Sequence, residues 1–202
     1  LWVMGQGIDA ILWVAATVSG WEGSVLRVPA GPGSVLPLLT FGAVFAILWQ
    51  GGARWLGAPP VALAFLLWAL AERPVVTVSE SGRLVGVLGE GGRALNRARG
   101  EGFAARSWLE NDGDAADQEA AAARAPPVTP WRAVTAAGAV VLSGGTGCGG
   151  AEIAVLPEGS ARGCLVVTEA MLERLGAIAI HADGEGWRIE GARSTGRPWS
   201  AQ

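Results

Sequence analysis

The sequence predicts a membrane α-helical segment, made of a helical hairpin preceded by an interfacial helix, followed by a small α+β soluble domain. Three observations predict it. Three apolar stretches crowd the first 71 residues. Charged residues make up 16% of the 202-residue chain, against about 25% in ordinary globular domains. After Glu72-Arg73-Pro74 the pattern changes to short apolar or alternating runs separated by Gly- and Ser-rich turns. The predicted boundary therefore divides residues 1–72 from residues 73–202. With 50% hydrophobic residues and a net charge of −3, the composition excludes a wholly disordered chain, which needs low hydrophobicity and high net charge. All of its basic residues are Arg, and they are outnumbered by the acids, 15 to 18. That balance excludes a broadly basic, nucleic-acid-type surface.

The first stretch, Ile8 to Val18, is shorter than the 20 or so residues a membrane crossing needs. It reads as an interfacial or packed helix. Gly20, Gly23 and the run Pro29-Ala30-Gly31-Pro32-Gly33 end it. The second, Val35 to Trp49, carries no charge and covers roughly 22 Å of a hydrocarbon core about 30 Å thick. Pro37 suits its first turn, where a missing N–H costs little. The linker Gln50-Gly51-Gly52-Ala53-Arg54 follows, flanked by Trp49 and Trp55, as in an interfacial belt. The third stretch, Trp55 to Ala71, is interrupted at its start by Pro59 and Pro60. If the helix begins only at Pro60 it is too short to span alone; a kink, with neighbouring helices covering the freed carbonyls, lets such a segment span. The two arms are predicted as a transmembrane hairpin with the Arg54 turn on the cytoplasmic side. The alternative is a hairpin buried in a soluble core. Residue 1 is Leu, and no basic leader precedes the first stretch, so the chain reads as the C-terminal piece of a longer protein.

Beyond Pro74, Val75–Val78 and Leu84–Leu88 read as strands around the turn Ser79-Glu80-Ser81-Gly82. Gly91-Gly92 offers a second turn before Arg93–Asn96. Glu101–Glu110 and the Ala-rich Ala115–Arg124 read as helices, and Ala125-Pro126-Pro127 as a linker or turn. Ala139–Leu142, Glu152–Leu156 and Cys164–Val167 alternate as strands do. Thr168 is placed as the N-cap of a helix through Leu175, with Gly176 as its stop. Ala177–Ile180 and Trp187–Glu190 are two further strands.

Several of these segments resemble one family as an ordered set. They are Gly7-Ile8-Asp9-Ala10-Ile11, Arg73-Pro74, Gly82-Arg83-Leu84-Val85 and the long run Phe103 to Asp114. Cys164-Leu165-Val166-Val167-Thr168, Leu175-Gly176-Ala177 and the closing Arg197-Pro198-Trp199 continue the series. Together they resemble the C-terminal region of ComEC-type competence proteins of alphaproteobacterial type, over nearly the whole chain. The resemblance implies the C-terminal part of an inner-membrane channel that passes single-stranded DNA into the cytoplasm during natural transformation. It implies a periplasmic tail, and as partners the lipid bilayer, the rest of the membrane channel, single-stranded DNA and other competence proteins. The alternative is a membrane-anchored structural or interaction module with no nucleic-acid role.

Some members of that family carry a metal-dependent hydrolase domain with a His-x-His-x-Asp-His motif. This chain has one histidine, His181, next to Asp183. A two-metal site needs several imidazoles, so no enzyme activity and no cofactor are expected, and His181 reads as a strand-end residue. Cys148 and Cys164 fit no zinc pattern, which needs four ligands. In an oxidising periplasm they form a disulfide; two unrelated buried thiols are the alternative. The run Ser143 to Gly150 lacks the Gly-Lys-Ser/Thr end of a phosphate loop and reads as a turn. The acids Glu110, Asp112, Asp114, Asp117 and Glu119 do not follow calcium-loop spacing. They read as a solvated loop and helix N-terminus. Arg93, Arg97, Arg99 and Arg106, with Arg83, are candidate phosphate contacts. Phe103 and Trp108 are candidate stacking faces for single-stranded bases. The alternative is exposed arginines balancing nearby acids, with both aromatics in the core.

Overall fold

The computed structural model describes residues 2–21, 27–156, 159, 161–184 and 186–193. The segment Arg197-Pro198-Trp199 lies outside them. The described residues form an α+β fold of two sheets and six helices, and no helix among them is long and apolar enough to cross a membrane. This corrects the predicted transmembrane hairpin, and the reason lies in the breakers. α2 (Val35–Leu48) ends where Trp49 turns extended, and Gly51 at φ 81° then leads into a 3-10 helix (Gly52–Gly57). Pro59 and Pro60 then fall in the first turn of α3 (Ala58–Ala69). There they start a helix instead of kinking a longer one. The two helices, of 14 and 12 residues, reach roughly 21 Å and 18 Å, short of a core about 30 Å thick.

The hairpin itself exists. α2 and α3 pack closely because Gly42 meets Gly57 at the crossing, both buried. A Cβ at Gly42 would lie 2.7 Å from the Gly57 carbonyl oxygen, so only glycine permits this approach. The hairpin is not buried in a core, as the alternative reading required. Leu36, Phe41, Ile47, Leu48, Trp55 and Leu56 are all exposed. α1 (Trp2–Ser19) is more open still. Ile8, Ile11, Leu12, Trp13 and Val14, which together circle the helix, face outward.

A short stretch joins this helical segment to the sheets. Trp68 Nε1 donates to the Pro29 carbonyl (2.8 Å), and the Ala30 N–H donates to the Asn111 carbonyl (2.7 Å). The first sheet is antiparallel, ordered β3 (Gly92–Leu95), β2 (Val85–Gly89), β1 (Val76–Val78), β8 (Ile178–Asp183), β9 (Gly186–Gly191). The second is ordered β4 (Trp131–Val134), β5 (Val140–Ser143), β6 (Ile153–Val155), β7 (Leu165–Val167). β4 and β5 are antiparallel, and β5, β6 and β7 are parallel. Alternation decides which side chains meet between the sheets. Val76, Val78, Val85, Val87, Ile178 and Ile180 from one pack with Trp131, Ala133, Val141, Ile153, Val155 and Val167 from the other.

The outer face of the first sheet is covered by α4 (Gly102–Asn111) and α5 (Gln118–Ala122). Leu84 and Leu95 meet Ala105, Leu109 and Ala121 there. α6 (Glu169–Leu175) ends at Gly176, φ 72°, as its stop signal requires. Strand β4 falls just after the predicted Ala125-Pro126-Pro127 linker, in residues for which the sequence predicts no element. Its Trp131-Arg132-Ala133-Val134 alternates buried and exposed, a four-residue signal masked by the prolines before it.

Candidate functional site

The loop from Asn96 to Glu101 leaves β3 and turns sharply into α4. Gly100 (φ 92°) and Glu101 (φ 55°) are successive left-handed residues, and Glu101 is the one non-glycine residue with positive φ among the described residues. Backbone of this kind persists only where its surroundings hold it. Here the Ser81 hydroxyl donates to the Glu101 carboxylate. Gln118 Nε2 donates to the carbonyls of Arg97 (3.2 Å) and Gly100 (2.8 Å). Asn96 Oδ1 accepts from the Val85 N–H (3.0 Å), and its Nδ2 donates to the Arg83 carbonyl (3.0 Å). Side chains from the β1–β2 turn and α5, with the loop's own Asn96, thus fix one loop. None of these clamping residues stands out in the sequence; only the glycine before Glu101 hints at the turn.

The structure divides the candidate arginines. Arg93 is 1% exposed and lies under α4, which removes it from any nucleic-acid surface. Its Nε and Nη2 donate to the two carboxylate oxygens of Asp112 at 2.5 and 3.1 Å. Nη1 donates to Thr77 Oγ1 (3.1 Å), and Nη2 also to the Pro74 carbonyl (3.0 Å). The physical reason is register. Arg93 sits opposite Leu88 on β3, on the face that α4 covers. Arg106 is exposed and paired with Glu110 one helical turn on (2.7 Å). That hydrogen bond raises its pKa above the ordinary value. Arg83, Arg97 and Arg99 are exposed, and among the described residues no carboxylate pairs with them. The two aromatics divide as well. Phe103 is 89% exposed, while Trp108 is half-buried against the Leu84–Leu95–Leu109 cluster. Trp108 therefore gives part of its surface to the apolar cluster beneath α4.

A cleft of about 730 Å³ opens beside α4, lined by Arg27, Arg106, Leu109, Asp114, Asp117 and Gln118. The acids near it divide: Asp117 and Glu119 are exposed at the N-terminus of α5, where the sequence places acids, whereas Asp112 and Asp114 are paired with arginines. Asp114 pairs with Arg124, whose Nη2 donates to Oδ1 at 3.0 Å. Asp117 caps α5 by accepting from the Ala120 N–H (2.8 Å). The Arg124 hydrogen bond holds the Asp114 carboxyl below the ordinary aspartate value, helped by the Ala116 N–H and by Arg27, and opposed by burial. A carboxyl depressed in the folded state contributes stability that is present above its unfolded pKa, near 3.8. That contribution is lost as pH falls through the folded value. Arg124→Met is therefore expected to lower stability by a constant amount above about pH 5, with the deficit narrowing below about pH 4. Urea unfolding across pH checks this; a deficit that stays constant down to pH 2 or so, below both pKa values, contradicts it.

Two further candidates lie elsewhere. Cys148 and Cys164 are joined in a disulfide, with Cα atoms 6.0 Å apart. It ties the glycine-rich β5–β6 connection to the entry of β7. His181 lies within β8, not at a strand end, and is 9% exposed. Its Nε2 is 3.7 Å from a Glu190 carboxylate oxygen, and its Nδ1 is buried without a partner among the described residues. No group of three or more His, Cys, Asp or Glu among the described residues is placed to hold a metal ion.

No family model, no curated protein and no solved structure matches this chain. The geometry thus stands alone: a rigid loop presenting cations and one aromatic face, and a helical segment whose apolar side chains point outward.

Proposed function

We propose that the chain is the C-terminal part of a ComEC-type inner-membrane protein that passes single-stranded DNA into the cytoplasm. In this reading α1, α2 and α3 do not cross the bilayer on their own. They rest against the membrane-embedded remainder of the same protein and the lipid around it. The two-sheet unit is a non-catalytic module on the periplasmic side.

The observation that carries the reading is the apolar surface of α1, α2 and α3. Exposed apolar patches on soluble monomers rarely exceed a few hundred Å², and larger ones mark protein or membrane contacts. A helix that exposes large apolar side chains around its circumference, as α1 does beside Gln6 and Asp9, calls for a covering surface. The flanking tryptophans Trp2, Trp21, Trp49 and Trp55, all exposed, suit the boundary of such an environment. The Cys148–Cys164 bond supports the periplasmic side, because disulfides persist in oxidising compartments.

The test is genetic. Residues 73–202 are deleted from the reading frame in a transformable host. Loss of transformation, with labelled DNA still reaching the periplasm, is the expected result. Unchanged transformation overturns the reading and favours a structural module without a nucleic-acid role.

A further inference from the structure

We infer that the clamped loop before α4 and the exposed ring of Phe103 form a sequence-tolerant contact surface for single-stranded nucleic acid. The inference deepens the import reading above, and rests on it for a strand reaching this face.

Three observations carry it. The first is Phe103, 89% exposed at the start of α4. A phenylalanine there gains nothing from burial, and it does not join the apolar cluster beneath the helix. Its flat face is open to stack on another ring. The second is charge. Arg97 and Arg99 sit on the loop leading to Phe103, and Arg83 is bound to that loop through Asn96. All three are exposed and have no carboxylate partner among the described residues. Arg106 shares the Phe103 face of α4, one turn on, but Glu110 neutralises it. The third is rigidity. Gln118 and Ser81 hold the loop in a left-handed turn at Gly100–Glu101. A preformed loop loses less conformational freedom on binding.

The chemistry that fits is a ligand with both phosphates and unstacked flat rings. Guanidinium groups recognise phosphate, and bases stack on aromatic side chains whatever their sequence. Duplex DNA hides its ring faces, so it can use the arginines but not Phe103. An acidic protein likewise offers the charges without stacked rings.

The experiment uses the full chain, in detergent where needed, and fluorescence anisotropy with a labelled oligo-dT strand. A duplex of the same length and an acidic polypeptide are the comparison probes. Oligo-dT is expected to bind more tightly than either. Phe103→Ala is expected to weaken oligo-dT binding about tenfold, leaving duplex binding unchanged. Phe103→Tyr, which keeps the ring, is expected to retain affinity. Arg97→Gln with Arg99→Gln is expected to flatten the salt dependence of oligo-dT binding by about 0.7 per arginine on a log–log plot. Thermal unfolding confirms that each exposed substitution leaves the fold intact. Absent binding, equal binding of duplex or acidic polypeptide, or indifference to Phe103→Ala each overturns the inference. The two proposals fail separately. Transformation lost on deletion, without oligo-dT binding, removes this surface and leaves the import reading. Oligo-dT binding with transformation intact does the reverse.

Discussion

Asp112→Ala is expected to destabilise the two-sheet unit by about 3–5 kcal/mol, the cost of leaving a buried charge without its partner. Arg93 would remain under α4 at 1% exposure, with only Thr77 Oγ1 and the Pro74 carbonyl to accept its N–H groups. Those two acceptors are neutral, and a buried guanidinium needs the opposing charge to offset its lost hydration. Folded domains are stable by only about 5–15 kcal/mol, so the change removes a large part of the total. Exchanging both partners, Arg93→Met with Asp112→Leu, is expected to recover most of the loss, because a buried pair is often replaceable by apolar groups of similar volume. Urea unfolding of the single and double variants measures both. A single variant within about 1 kcal/mol of the parent, the worth of an exposed pair, means that Arg93 reaches water and that α4 does not seal it.

Cys148→Ser with Cys164→Ser is the second large effect. The bond closes a loop with a sequence separation of 16, and a loop of that length is worth about 3 kcal/mol through the entropy of the unfolded chain. Position adds a local reason. Parallel strands ordinarily need a crossover of about a dozen residues or more, commonly a helix. Here residues 144–152 alone carry the chain from β5 back to the start of β6. Gly144, Gly149 and Gly150 adopt positive φ in that passage, conformations that glycine takes at no steric cost. Cross-linking the passage to the β7 entry holds both crossovers of the parallel half. Reductant is expected to lower the parent to the stability of the Ser variant and to leave the variant unchanged. Equal stability of parent and variant without reductant would show that the glycine passage holds itself.

Much of the fold is readable from residues alone. The strands at Val76–Val78, Ile153–Val155 and Leu165–Val167 fall inside the runs that alternation or apolarity marks. α6 starts after Thr168 and stops at Gly176 as the sequence reads, although the Thr168 side chain makes no cap hydrogen bond. These are local properties, decided within a few residues. The candidate site is legible only by residue type. Arginines and aromatics between residues 83 and 108 announce themselves, but their exposure does not. Arg93 and Arg97 stand four residues apart. One is sealed beneath α4, and the other is free on the loop. Phe103 and Trp108 look alike in the sequence and end on different sides of the same helix.

The chain's own residues determined the change of material at Glu72, the strand and helix signals beyond it, and the charge-poor character of what precedes it. Each of these is a matter of local pattern and composition. Only the tertiary structure decided that Pro59 and Pro60 begin a short helix instead of bending a spanning one. Only the tertiary structure paired Asp112 with Arg93 and Asp114 with Arg124, and left Phe103 in the open. The physical reason is that burial and charge pairing depend on which distant surfaces meet. That is settled by sheet register and helix docking across the whole fold, at a range no local pattern encodes.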